Sequence, residues 1–119
     1  MLLWMGAIFF LSDQSRSDIP SFGFWDTFIK KGSHFLAYAV LAFLALRVTS
    51  GGKRPYIWAF LITILYAMSD EYHQTFIPGR NGTVVDVVID CLGGLMALFS
   101  LRMNWLRRPV RPRQSDPLP

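Results

Sequence analysis

The sequence predicts an all-α, polytopic membrane helix bundle of about four transmembrane helices, the first of them short or incomplete. Three observations carry this. The 119 residues are 52% hydrophobic and only 17% charged, with a mean hydropathy of +0.32, too apolar for an ordinary soluble domain and too poor in charge for a disordered chain. The apolar residues fall into four blocks, 1–11, 35–48, 56–68 and 83–101. The twelve Lys and Arg, which give a net charge of +4, lie between the blocks rather than in a stripe, as in membrane proteins and unlike a nucleic-acid-binding face.

The first block is about 11 residues, or about 17 Å of helix. It lacks a basic leading region and a small-residue cleavage site, so it reads as a helix that crosses only in part, or that continues upstream, and not as a signal peptide. Residues 12–32 mix Ser, Asp, Gly and Pro with Phe22, Phe24, Trp25 and Phe28, a composition suited to the membrane surface. The second block reaches the roughly 20 residues of a span if its helix starts near Lys31. Gly51, Gly52 and Pro55 mark a tight turn to the third block. That block spans if it continues through Ser69, Asp70, Glu71, Tyr72, His73 and Gln74 to about Phe76, ahead of Pro78. The fourth block is long enough unaided. Beyond residue 101 the chain turns to Arg and Pro, which predicts a disordered basic tail over 102–119.

The smaller features have plain readings. Gly93 and Ala97 are spaced for close helix packing. Cys91 lies in an apolar run, as a buried inert thiol would. Trp4, Trp25, Trp58 and Trp105 sit near span ends, as interfacial tryptophans do. Gly79, Arg80 and Asn81-Gly82 read first as turn residues. Eight of the basic residues fall on the side of the 47–54 turn and the tail, against four on the other side. The positive-inside rule then places both termini in the cytoplasm of a multi-pass cell-membrane protein.

Whichever way the chain is inserted, the start of the second helix, the end of the third and the start of the fourth share one side. Lys31, His34 and Tyr38, then Glu71 and Gln74, then Asp86 and Asp90 stand at those ends, with Arg80 in the loop between the last two groups. His34/Tyr38 and Asp86/Asp90 are i,i+4 and Glu71/Gln74 are i,i+3, so each pair shares a helix face. Ionisable groups at such depth mark a functional site by default. Lys31 and Arg80 are the obvious counter-ions if the carboxylates only hold helices together. Asp70 and His73 read as a solvated neighbour and interfacial filler, because adjacent helical residues diverge by about 100°.

The stretches Lys31-Gly-Ser-His34-Phe35-Leu-Ala-Tyr38, Glu71-Tyr-His-Gln74-Thr-Phe76-Ile-Pro78-Gly79-Arg80 and Asp86-Val87-Val-Ile-Asp90-Cys-Leu-Gly93 resemble the VanZ family, as does Leu11-Ser12-Asp13-Gln14-Ser15. The resemblance covers about residues 1–101, a VanZ-like transmembrane domain, and leaves the tail outside. The family usually carries Asn where this chain has Asp90. The resemblance implies a small integral membrane protein associated with reduced sensitivity to teicoplanin, a lipid-bearing glycopeptide.

Three functions fit the residues. The cluster binds a lipid headgroup, a lipid-linked cell-wall precursor or an amphiphilic drug, with Lys31 and Arg80 gripping phosphate or carboxylate. Alternatively, Glu71 or Asp86 acts as base and His34 as acid in an intramembrane enzyme, although no named catalytic motif is present. The third reading is a purely structural polar core. The residue types would also suit a metal held by His34, Glu71 and Asp86, but that set fixes no metal identity. The sequence therefore assigns no metal and no cofactor. Membrane lipids are the expected partners and nucleic acid is not.

Overall fold

A computed structural model describes residues 1–13 and 23–106. Among these the chain is 83% helix without strands, in four α-helices: α1 (Leu2–Ser12), α2 (Asp26–Thr49), α3 (Pro55–Gln74) and α4 (Val84–Leu106). A short 3-10 turn, Gly23–Trp25, leads into α2. The expectations for residues 14–22 and for the tail from 107 onward lie outside the described residues.

Two boundaries differ from the sequence expectation. Helix α2 begins at Asp26 rather than near Lys31, because nothing in 26–34 breaks a helix and Lys30 pairs with Asp26 one turn away at 2.7 Å. Helix α4 continues to Leu106, five residues past the apolar block, so Arg102 belongs to the helix and not to the tail. Between α2 and α3 the backbone reverses at Arg54, which takes a left-handed conformation (φ 59°, ψ 52°), and Pro55 opens α3 at its first position.

At about 1.5 Å per residue, α2 and α4 are roughly 36 and 34 Å long, and both are long and apolar enough to cross a membrane. Only 22% of each apolar stretch is buried by protein, so neither is the core helix of a soluble fold. Helix α3 has 20 residues, but its last turns carry Asp70, Glu71, His73 and Gln74. Helix α1 has only 11 residues.

The packing is inverted relative to a soluble protein. Leu36, Val40 and Phe43 of α2, Leu61, Leu65 and Met68 of α3, and Val88, Leu92, Met96 and Phe99 of α4 face outward. Ser12, Thr63, Asp70, Glu71, Gln74 and Asp90 are buried. Such an apolar exterior suits hydrocarbon, which leaves polar groups only the bundle interior.

Small residues bring the helices together. A Cβ at Gly93 would meet the backbone carbonyl of Phe35 in α2, and one at Gly94 would lie 2.8 Å from the Thr63 methyl in α3. Only glycine allows α4 to lie directly against the α2 backbone at that point. Helix α1 is pinned to its neighbours by hydrogen bonds from Trp4 Nε1 to the Ala37 carbonyl (2.9 Å) and from Tyr66 to the Met5 carbonyl (2.5 Å). Trp4 is thus a packing residue; Trp25, Trp58 and Trp105 are exposed. Cys91 is half-buried and unpaired.

Candidate functional site

The C-termini of α1 and α3 and the N-termini of α2 and α4 lie at one end of the bundle. Contacts across them establish this: Ser12 reaches Asp70, Lys31 reaches Asp86, and Thr83 reaches Glu71. The polar residues sort into three layers there.

At the mouth, Lys31 Nζ stands 2.7 Å from Asp86 Oδ1, with side chains 41% and 28% exposed. Asp86 is held by the start of its own helix as well. Thr83 caps α4, its hydroxyl accepting from the Asp86 amide at 3.2 Å and donating to Asp86 Oδ2 at 2.7 Å. In a regular capping box the Thr83 amide would turn to the residue three ahead. Here it donates to Glu71 Oε2 at 3.1 Å instead. The Asn81-Gly82 stretch lies so close to α3 that a Cβ at Gly82 would meet the Glu71 carbonyl, so glycine is required for the loop to fold back onto the site.

Behind the mouth, His34, Glu71 and Asp90 converge from α2, α3 and α4, with one potential ligand atom from each lying within 4.8 Å of the others. Asp90 is fully buried. His34 Nδ1 stands 3.4 Å from Asp90 Oδ1, and among the described residues neither carboxylate oxygen of Asp90 accepts a hydrogen bond. With α4 starting at Val84, Asp90 lies about 9 Å along it. The close approach at Gly93, one turn further on, is what brings α2 and α4 near enough for this pair.

The third layer is a hydrogen-bonded network around Asp70. Its Oδ2 accepts from Ser12 (2.8 Å), Tyr38 (3.1 Å) and Gln74 (3.4 Å), all buried, and Gln74 also reaches the Ser12 hydroxyl at 3.4 Å. The four residues come from α1, α2 and α3 and tie the short first helix to the bundle. Sequence reasoning placed Asp70 in solvent, and the structure corrects this. Helix α1 covers one side of the end of α3 and helices α2 and α4 the other, so Asp70 and Glu71 are both enclosed although they point about 100° apart. Ser12 was legible only as part of the Leu11–Ser15 motif. His73 packs its ring on Phe9 with centroids 4.4 Å apart and lies 3.6 Å from Asp13.

Of the residues singled out from sequence, Lys31 and Asp86 form the mouth, His34, Glu71 and Asp90 the interior, and Tyr38 and Gln74 the Asp70 network. Arg80 is half-buried in the loop before α4, and its side chain makes no hydrogen bond or ion pair among the described residues. The metal set His34, Glu71 and Asp86 is not the one assembled: Asp86 is taken by Lys31, and Asp90 stands in its place. Chemically, the end presents cationic side chains outside and acid–base or cation-binding groups inside.

The described residues, helical and without strands, with two membrane-length helices among them, an apolar exterior and a carboxylate-rich interior at one end, have the character of an integral membrane protein. The chain belongs to the VanZ/LLP1 family, whose model matches residues 1–106. No curated protein and no solved structure matches the chain.

Proposed function

We propose that the chain is a VanZ-like multi-pass protein of the cell membrane, and that its polar end faces outward and binds the anionic headgroup of an amphiphilic or lipid-linked ligand. Through that site it lowers sensitivity to teicoplanin-type glycopeptides. The ligand class covers a lipid-linked cell-wall precursor and the lipoglycopeptide itself, both of which present charged groups at the outer surface beside a lipid tail.

The observation that carries this reading is the exposed mouth. Lys31 stands at it, and Arg80 lies in the loop that leads into α4, its side chain without an ion pair among the described residues; a guanidinium grips phosphate or carboxylate bidentately. The count of basic residues, eight against four, supports cytoplasmic termini and hence an outward site. Helices α1 and α3 complete the passage across the bilayer in this reading, with their polar ends meeting within the bundle.

The test compares teicoplanin and vancomycin susceptibility in a sensitive host expressing the intact chain or Arg80→Gln, with membrane abundance of each measured. The intact chain should raise tolerance to teicoplanin more than to vancomycin, and the equally abundant variant should not. Unchanged teicoplanin susceptibility with the intact chain present would overturn the reading.

A further inference from the structure

The buried interior of the polar end is unbalanced in charge. Asp70, Glu71 and Asp90 are all buried, and among the described residues the basic group that stands between them is His34. Lys31 is engaged by Asp86, and Lys30 by Asp26. Asp70 is served by three hydrogen-bond donors to one oxygen, and Glu71 by the Thr83 amide. Asp90 is less well served: it is fully buried, His34 faces it at 3.4 Å, and among the described residues neither of its oxygens accepts a hydrogen bond that meets ordinary geometry. Leaving a carboxylate so placed is costly enough that buried charges are normally paired or coordinate a metal.

We propose that His34, Glu71 and Asp90 form a binding site for one divalent cation of the zinc or manganese class. The donor set, one imidazole nitrogen and two carboxylates, suits such ions. The spacing suits them as well. With metal-to-ligand distances of about 2.0–2.2 Å, two ligands of a tetrahedral ion lie about 3.4 Å apart, and His34 Nδ1 and Asp90 Oδ1 already stand at 3.4 Å. That is long for a hydrogen bond. Glu71 completes the set within 4.8 Å and needs only a small side-chain movement. The Thr83 amide on its Oε2 leaves the other oxygen for the ion and orients the carboxylate, as hydrogen bonds behind metal ligands do. His34 is 27% exposed, so the site is not sealed from outside the bundle.

Three protein ligands leave a position open, as in sites that engage a ligand rather than merely hold a fold. That open position would take a phosphate oxygen of a headgroup. That last clause rests on the headgroup reading above; the ion site does not.

The experiment uses the full chain in detergent micelles, stripped with a chelator and dialysed against Zn2+ or Mn2+ alone, with bound metal counted by mass spectrometry. One ion per chain is expected, bound at least tenfold more weakly by Asp90→Asn and by Glu71→Gln, and unchanged in Lys31→Met. Failure of the intact chain to bind either ion saturably at micromolar concentration would overturn the proposal, as would binding by both carboxylate variants as tight as that of the intact chain. If Asp90→Asn does not fold, the stoichiometry of the intact chain and Glu71→Gln still decide. Because no drug or lipid is present, loss of the ion site and loss of the teicoplanin role read out separately. Tighter retention of inorganic phosphate by the metal-loaded chain than by the stripped one would support the open position, and equal retention would remove it.

Discussion

Gly93→Ala should destabilise the chain, and Gly32→Ala should do the opposite. An added Cβ at Gly93 meets the carbonyl oxygen of Phe35, which belongs to the backbone of α2 and cannot swing aside as a side chain can. Because an ordinary carbon-to-oxygen contact is about 3.3–3.6 Å, the two helices have to part locally by roughly 1 Å. Overpacking of this kind costs about 1–3 kcal/mol, against which alanine returns only about 0.5–1 kcal/mol over glycine within a helix. The expected net loss is about 1–2 kcal/mol. At Gly32, also within α2, an added Cβ meets nothing within 4 Å, so the helix term acts alone and gives a gain of about 0.5–1 kcal/mol.

The assay is unfolding of the full chain from mild detergent by titrated dodecyl sulfate, followed by tryptophan fluorescence, with the two variants beside the parent. Their midpoints should move in opposite directions. A Gly93→Ala midpoint at or above the parent would refute the close approach of α2 and α4. A consequence for the site follows, since His34 precedes Phe35 and Asp90 lies one turn before Gly93. Parting the helices widens the 3.4 Å gap between His34 and Asp90, so Gly93→Ala should also weaken Zn2+ binding, and Gly32→Ala should not.

Ser12→Ala removes the shortest donor to the buried Asp70 carboxylate and should cost about 1–3 kcal/mol, seen in the same titration and as faster amide exchange across α1. Thr83→Ala removes the cap of α4 and should cost about 0.5–2 kcal/mol, while its amide keeps Glu71 in place; an unmoved midpoint would show that the cap contributes nothing. Lys31→Met should change stability by less than about 1 kcal/mol, because both members of its pair are partly exposed. A reporter enzyme fused after Pro119 should be active on the cytoplasmic side; activity outside would turn the polar end inward and end the teicoplanin reading.

The helices and their common polar end were legible because they depend on short-range signals. Apolar block length, the Gly51-Gly52-Pro55 turn and the Pro78 stop act locally, and alternation of direction along the chain then gathers the termini of α2, α3 and α4. Which carboxylate meets which partner was not legible, since that depends on how the helices rotate about their axes. Asp86 and Asp90 share a face one turn apart, yet Asp86 meets Lys31 at the rim and Asp90 meets His34 below it. The difference is set by the depth at which Gly93 touches Phe35. Asp70 was misplaced for a related reason: a helix enclosed on one side leaves its opposite face open in every turn, but the end of α3 is enclosed on two sides once α1 packs against it.

The same bundle end offers a comparison between two buried aspartates that separates holding the fold from another task. Asp70 has the surroundings of a staple. Three helices contribute donors to its Oδ2, so the carboxylate ties α1, α2 and α3 together. Asp90 lies as deep, yet its carboxylate is given only the edge of one histidine at ion-pair distance. If the requirement at that position were adhesion between α2 and α4, Gly93 and Phe35 already supply it one turn away, and an amide would do there without burying a charge. A carboxylate is useful at Asp90 where a cation is to be held, and the neighbouring Glu71, kept in orientation by a backbone amide borrowed from the start of α4, is consistent with that use. The decisive contrast is therefore Asp90→Asn against Asp70→Asn in the intact chain: the first should leave the unfolding midpoint close to the parent and remove Zn2+ binding, and the second should lower the midpoint while the remaining folded protein still binds the ion. The reverse pattern would make Asp90 the staple.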